Sequence, residues 1–359
     1  MHDSETKTAA QAEMFANRLK KRHRHLHKWA QRTGTGAFRL YDRDIPEIPL
    51  VLDKYDDVIS GALYQRPYEK DEAEEDQWLQ AMGDAAAQAL GLRRDNIIIK
   101  RRQRQRRTFS SRTESSRTGG SRRTQYGKIA DRGLVREIRE GNFIFKVNLS
   151  DYLDTGLFLD RRVMRRMVNA DSGGKRVLNL FCYTASFSVH AAGGGAVSTD
   201  SVDLSNTYLN RARENFTLNG FDTAILRPQE WRAGTDAAHR LIRADVVTFL
   251  RTASAARQRW DSIIIDPPAF SNSAMASADF DLNRNYEDLL ADCLGLLAPG
   301  GKIWFSANAR SFKVSAAELE IALAERFAGI KVSDQTDQFT DEDFKDKKVP
   351  KAFIIGIVD

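Results

Sequence analysis

Cysteine is scarce in this chain of 359 residues: only Cys182 and Cys293 are present, far apart in sequence. Without a Cys-x-x-Cys pair, a disulfide scaffold and a cysteine-rich zinc site are both excluded. Long apolar runs are missing too. None approaches the roughly 20 residues of a membrane helix, and mean hydropathy is −0.49. The chain starts Met1-His-Asp-Ser-Glu-Thr-Lys-Thr-Ala-Ala10, with no basic stretch leading into an apolar one. A secretory signal is therefore not expected, and the expected compartment is cytoplasmic. Gly-x-Gly-x-x-Gly is absent after every candidate strand, which weakens a dinucleotide-binding reading. Gly-x-Ser-x-Gly is absent as well, so there is no hydrolase nucleophile elbow. Gly193-Gly-Gly195 reads as a helix stop, and Gly295 to Lys302 reads as a turn before a strand.

What the chain does have is apolar and charged residues in globular proportion, 42% and 29%. That excludes a wholly disordered chain, and the length suits two or three domains. The net charge of +6 is unevenly spread. Residues 93 to 132 hold 14 Lys/Arg against Asp95, Glu114 and Asp131, which leaves the rest of the chain net acidic. Concentrated positive charge is the footprint of a polyanion partner.

Residues 1–36 read as a basic N-terminal helical segment. Phe15, Leu19, Leu26 and Trp29 share one face of a helix over 11–32, with Arg22 interrupting it. Arg18, Lys20, Lys21, Arg24 and Lys28 make the other faces basic. His23, His25 and His27 do not make a metal site, because 25 points away from the other two. Residues 37–148 read as a small α+β domain, strand-strand-helix-strand-strand. Its strands fall in 37–41, 50–53, 58–64 and 97–99, its helix in 70–91. A hairpin of 134–140 and 143–147 is closed by Gly141-Asn142. A flexible basic loop, 101–123, is rich in Arg, Ser, Thr and Gly. Arg22, Arg24, Lys100, Arg101, Arg102, Arg104, Arg106, Arg107, Arg122 and Arg123 are the candidate RNA contacts, since clustered arginines suit phosphates. The plainer reading of the loop is a linker that binds nothing.

From residue 149 to 359 strands alternate with helices, which predicts a parallel, doubly wound α/β sheet. Ligands bind such sheets at the carboxyl ends of the strands. Those ends carry Asn179-Leu-Phe-Cys-Tyr-Thr-Ala185, Asp203, Asp245 and Asp266-Pro-Pro-Ala-Phe270. Asp203 stands 24 residues beyond Asn179, near the spacing of a ribose-binding carboxylate. Each lone Asp after a strand could instead cap the next helix. Ser205 is available for that task beside Asp203. Asp266 precedes Pro267 and Pro268, which stiffen the turn and remove two N–H donors. The turn would present the carboxylate, with Phe270 as a stacking surface; a purely structural strand exit is the alternative.

These elements together resemble the class I S-adenosylmethionine-dependent methyltransferases, with a Rossmann-like domain. Asn148 to Asp160, Leu178 to Ala185 and Ile265 to Ser273 look like the bacterial 23S rRNA guanine-7 methyltransferases, in many bacteria the C-terminal half of a fused enzyme. Phe15 to Arg22 and Arg39 to Pro46 extend the likeness over most of the chain. The resemblance implies S-adenosyl-L-methionine as cofactor and 23S rRNA, or a large-subunit assembly intermediate, as partner, with no membrane. It implies that Asn179, Phe181, Tyr183 and Thr184 hold the methionine end. Asp203, with Ser205 beside it, would take the ribose, and Asp245 would lie by the adenine. Asp266, Pro267, Pro268 and Phe270 would form the target-base site, with Asp266 also facing the cofactor. Phe158, Asp160 and Arg162 would help close the pocket. Nothing here corresponds to the second methyltransferase of the fused enzymes, and residues 222–236 look like an insertion without an assignable role.

Guanine N7 has a lone pair and no proton, so methylating it requires positioning rather than a general base. Cytosine 5-methylation needs a cysteine nucleophile. None follows the fourth or fifth strand, which disfavours that chemistry. Exocyclic amine methylation and an inactive RNA-binding assembly factor complete the alternatives.

Overall fold

The computed structural model describes residues 2–65, 71–101, 133–234, 236–271, 280–307, 309, 311–345, 347 and 349–358. Arg102, Arg104, Arg106, Arg107, Arg122 and Arg123, with nearly all of the basic loop, lie outside the described residues. The chain divides into two compact units. One is Met1–Asn142 with Val147–Leu159; the other is Phe143–Lys146 with Asp160–Asp359.

The first unit opens with α1 (His2–Thr33), β1 (Ala37–Asp42), β2 (Leu50–Tyr55), β3 (Val58–Leu63), α2 (Glu72–Leu90) and β4 (Ile97–Arg101). β1, β2 and β3 form an antiparallel meander, and β4 returns parallel to β3 after the helix. Phe15, Leu19, Leu26 and Trp29 are all buried, so the apolar stripe read from the sequence does face a core. The Asp71 carboxylate caps α2 by accepting from Ala73 N and Glu74 N, and Gly91 ends the helix at φ +67°. Gly61 lets β2 and β3 approach: a Cβ there would lie 2.5 Å from the Val51 carbonyl oxygen. The strands read at 37–41, 50–53 and 58–64 all precede the helix, so the order is strand-strand-strand-helix-strand instead of strand-strand-helix-strand-strand. β5 (Val135–Glu140) and β6 (Phe143–Asn148) do not join this sheet.

The second unit runs α3 (Arg162–Asp171), β7 (Arg176–Leu180), α4 (Ser186–Gly193), β8 (Ser198–Asp203), α5 (Asn206–Leu218), β9 (Thr223–Leu226), α6 (Pro228–Ala233) and β10 (His239–Arg243). It continues with α7 (Val246–Ala255), β11 (Trp260–Ile265), β12 (Phe270–Ser271), β13 (Phe280–Asp281), α8 (Leu282–Leu294), β14 (Leu297–Ala307), α9 (Ala316–Ala324), β15 (Ile330–Asp334) and β16 (Lys351–Ile357). The main sheet has the order β15-β16-β14-β11-β7-β8-β10-β9. The strands from β14 to β9 run parallel, while β16 lies antiparallel to β14 and β15. Val177, Leu178, Leu180 and Ile263 to Ile265 are buried on both faces of the sheet, as parallel strands require.

Successive strands leave β7 in opposite directions, so the order reverses between β7 and β11. That is where a ligand crevice forms. The register aligns the strand ends across it: Ile265 pairs with Leu180, Leu180 with Val202, and Val202 with Ile242. Residues 222–236 acquire a role here. They supply the edge strand β9 and bring Trp231 into the core, where its Nε1 donates to Asp200 Oδ1 at 2.9 Å. Among the described residues no helix is long and apolar enough to cross a membrane.

Candidate active site

The loop after β7 has an unusual backbone. Phe181, Tyr183 and Ala185 all have positive φ, at 55°, 52° and 56°. None is glycine, and each such residue costs about 1 kcal/mol or more. Hydrogen bonds hold the loop in place: Cys182 N donates to Val202 O at 3.0 Å and Ala185 N to Cys182 O at 2.8 Å. Tyr183 N donates to Asp203 Oδ2 at 2.9 Å, and Asn215 Nδ2 donates to Thr184 O at 2.9 Å. The glycine motif missing from the sequence is thus replaced by left-handed residues that other segments enforce. The Phe181 ring packs 5.1 Å from Phe280, and Tyr183 meets Tyr208 edge-on at 4.5 Å. Thr184 is buried.

Asp203 ends β8. Its Oδ1 accepts from Ser205 N at 2.9 Å while Oδ2 takes Tyr183 N. Burial pushes its pKa up to about 6, opposed by the bonds from Ser205, Tyr183 and Leu204. Ser205 caps α5, accepting from Tyr208 N, so Asp203 is not spent as a cap. Asp245 differs: its Oδ1 caps α7, accepting from Thr248 N at 3.0 Å and Thr248 Oγ1 at 2.9 Å. Asn179 is also placed differently from its expected role. It is buried within β7, and its Nδ2 donates to Ser188 Oγ at 2.9 Å, tying the sheet to α4.

Asp266 follows β11 beside this loop. The partner that decides its position was missed by the sequence reading. Arg161 Nε donates to Asp266 Oδ1 at 3.1 Å, Nη2 lies 3.1 Å from the same oxygen, and Nη1 donates to Asp160 Oδ2 at 3.0 Å. Arg161 is buried, and the two carboxylates raise its pKa against the desolvation that would lower it. Arg162 was the arginine expected here. Its Nη1 instead lies 3.2 Å from Asp341 Oδ2 and 3.1 Å from Asp343 Oδ1, all in the interior. Arg162 begins α3 and turns with the helix, whereas Arg161 precedes it. Two adjacent arginines were the available signal; which one faced Asp266 was not legible. Pro267 is buried, and Phe270 is 47% exposed on β12. Phe158 belongs to the first unit.

The described RNA candidates sort unevenly. Arg24 is exposed on α1 together with Lys20, Lys21, Lys28 and Arg32. Arg22 points inward, its Nε 3.4 Å from the Leu40 carbonyl oxygen. Lys100 is buried and donates to Tyr152 O at 2.6 Å, with its pKa lowered to about 8 by burial. It is an internal clamp rather than a phosphate contact. Arg101 pairs with Glu72 and Asp76 of α2.

A family model described as S-adenosylmethionine-dependent methyltransferase matches residues 132–322. The chain belongs to this family. The ribosomal RNA large subunit methyltransferase K of Neisseria meningitidis serogroup B is 41% identical to this methyltransferase over 341 residues, covering 95% of this chain and 86% of that protein. The K/L protein of Stutzerimonas stutzeri is 42% identical over 333 residues, which is 93% of this chain but 40% of that protein. The methyltransferase thus spans under half of its K/L relative. A solved methyltransferase complexed with SAH shares the fold, with a TM-score of 0.69 at 24% identity over 96% of this chain and 82% of that one.

The enzyme uses S-adenosylmethionine, and its crevice fits that group. A half-buried carboxylate, Asp203, ends the strand beside the loop, as a ribose diol requires. The left-handed loop Phe181–Ala185 sits at the adjoining strand end. Asp203 retains acceptor capacity beyond its bonds to the backbone, because a carboxylate has about four lone-pair sites.

Proposed function

We propose that this methyltransferase converts a guanine of 23S rRNA to 7-methylguanosine, acting in the cytoplasm on free or partly assembled large-subunit RNA. The observation that carries this reading is the 41% identity to the large subunit methyltransferase K, which spans 95% of this chain and 86% of that one.

The bound cofactor supplies an electrophilic methyl group on a sulfonium. Held by Asp203 and the loop Phe181–Ala185, the cofactor would offer this methyl to the N7 lone pair and keep the S–C electron pair on sulfur. No proton leaves N7, so the residues need only align the reactants. Asp203 accepts from the ribose hydroxyls, and the loop Phe181–Ala185 cradles the methionine end. Asp266 orients the base. Its Oδ1 is occupied by Arg161, which suits holding better than proton abstraction. Cysteine chemistry is unsupported: Cys182 and Cys293 are buried, and burial raises both thiols well above their usual range. The exposed basic face of α1 and loop 101–123 grip the RNA backbone.

Incubation with S-adenosylmethionine and 23S rRNA lacking its modifications, followed by nucleoside mass spectrometry, tests this. A 7-methylguanosine peak that disappears with Asp203→Ala supports it. A methylcytosine or an amino-methylated base overturns the base assignment, and failure to bind the cofactor overturns the enzyme reading. RNA affinity is expected to fall steeply with salt, by about 0.7 log units per log unit of salt for each single-strand phosphate neutralised. Deleting 101–123 flattens that slope; an unchanged slope removes the loop from the binding surface.

A further inference from the structure

We propose that Arg161 is a positioning residue for guanine selection. It holds Asp266 by Oδ1 so that Oδ2 accepts from the N1–H and exocyclic N–H₂ of the target base, leaving N7 on the opposite edge for the methyl group. This rests on the guanine-7 reading above.

Two N–H groups of one rigid guanidinium lie at 3.1 Å from Oδ1 of Asp266, and a third donates to Asp160 at 3.0 Å. A planar guanidinium bonded to Asp160 on one side and to Asp266 on the other cannot rotate without losing a bond, so it anchors Oδ1 of Asp266. Arg161 is buried, its side chain 6% exposed, while the Asp266 side chain keeps 15%. Among the described residues Oδ2 of Asp266 receives no hydrogen bond, so it is the acceptor left for a ligand. The rigid turn of Pro267 and Pro268 holds the backbone of the same residue.

The chemistry of the acceptor then selects the base. A carboxylate offers only acceptors. Guanine presents two adjacent donors on its Watson–Crick edge, whereas adenine and cytosine present a donor beside an acceptor. Methylation makes the purine ring cationic, which strengthens its N–H donors. The contact therefore tightens along the reaction and acts on kcat more than on KM. A negative carboxylate also suits the developing positive charge.

The test places inosine, which lacks the exocyclic amine but keeps N1–H and N7, at the methylated position of 23S rRNA by splinted ligation. Wild-type enzyme is expected to methylate the inosine RNA about tenfold more slowly than the guanosine RNA. Arg161→Lys keeps the charge but loses the fork. It is expected to lower kcat by about tenfold, with S-adenosylhomocysteine affinity within about twofold of wild type, and to shrink the guanosine-to-inosine ratio to about threefold or less. Asp266→Asn, which replaces Oδ2 by a donor and keeps Oδ1 for Arg161, is expected to shrink the ratio similarly. If Arg161→Lys does not fold, Asp266→Asn decides alone. A variant that loses rate but keeps the full ratio makes the pair merely structural and overturns the inference, as does wild-type indifference to inosine. A product other than 7-methylguanosine overturns the underlying reading instead.

Discussion

The ends of β8 and β10 are neighbours, with Asp203 paired to Arg243 across the two strands. Each is followed by a helix, and each offers an aspartate to the same crevice. Their fates differ. At β8 the cap of the next helix is Ser205, two residues beyond the aspartate. At β10 the aspartate is itself the cap of α7. Asp245 takes Thr248 N and Oγ1 on one oxygen, whereas Asp203 takes backbone N–H groups on both oxygens and ties the loop after β7 to the strand end. Helix capping, a local requirement, engages one of two otherwise equivalent acids and leaves the other to bond the loop after β7.

The sharpest way to break this contrast is Asp203→Ala. It is expected to weaken cofactor binding by about 3 kcal/mol, roughly 100-fold, through loss of two charge-assisted hydrogen bonds. Titration calorimetry with S-adenosylhomocysteine reads this directly, and wild-type affinity would dissolve the distinction. The pH dependence comes next. The carboxyl of the cofactor-free protein has its pKa raised to about 6, and ribose hydroxyls need the ionised form. Affinity should therefore rise with pH through 6 and level above 7, with about a tenfold loss at pH 5. Asp203→Asn should abolish that dependence. Folding stability responds with the opposite sign. A raised carboxyl favours the folded state most below its ordinary value, and the advantage fades as pH rises through about 6.

Asp245→Ala should behave quite differently. Loss of the α7 cap costs about 1 kcal/mol of stability by thermal or urea unfolding, while cofactor affinity changes by about threefold at most. A hundredfold loss of affinity there would place the two aspartates in one class after all. The smallest effect is expected at Ala185→Gly. Its φ of 56° is strained for alanine, so glycine should stabilise the fold by a few tenths of a kcal/mol to about 1 kcal/mol. Destabilisation would mean that burial of the Ala185 methyl outweighs the strain.

Two other strand ends show how far the sequence could be read. At β11 the turn is rigid because Pro267 and Pro268 restrict the backbone covalently, and that restriction is written in the residues themselves. At β7 the loop is rigid because Phe181, Tyr183 and Ala185 are pinned in left-handed conformations by bonds to Asp203 and Val202 and from Asn215. No residue type in the loop announces this, so a search for glycines finds nothing. Asn179 shows the same limit. Its polarity at a strand end suggested a ligand contact, but Ser188 from the next helix claims it. Lys100 likewise read as part of a basic run, until the carbonyl of Tyr152 turned it inward.

The sequence by itself determined the alternation of strand and helix, the parallel sheet, and the aspartates at its carboxyl ends. Those follow from apolar periodicity, turn chemistry and the stiffness of proline, all of which act over a few residues. Only the tertiary structure decided how a loop without glycine reaches the crevice, and which of two adjacent arginines meets Asp266. Each of these depends on a hydrogen bond between distant segments, as between Arg161 and Asp266, 105 residues apart. No local pattern encodes a partner that only folding brings into reach.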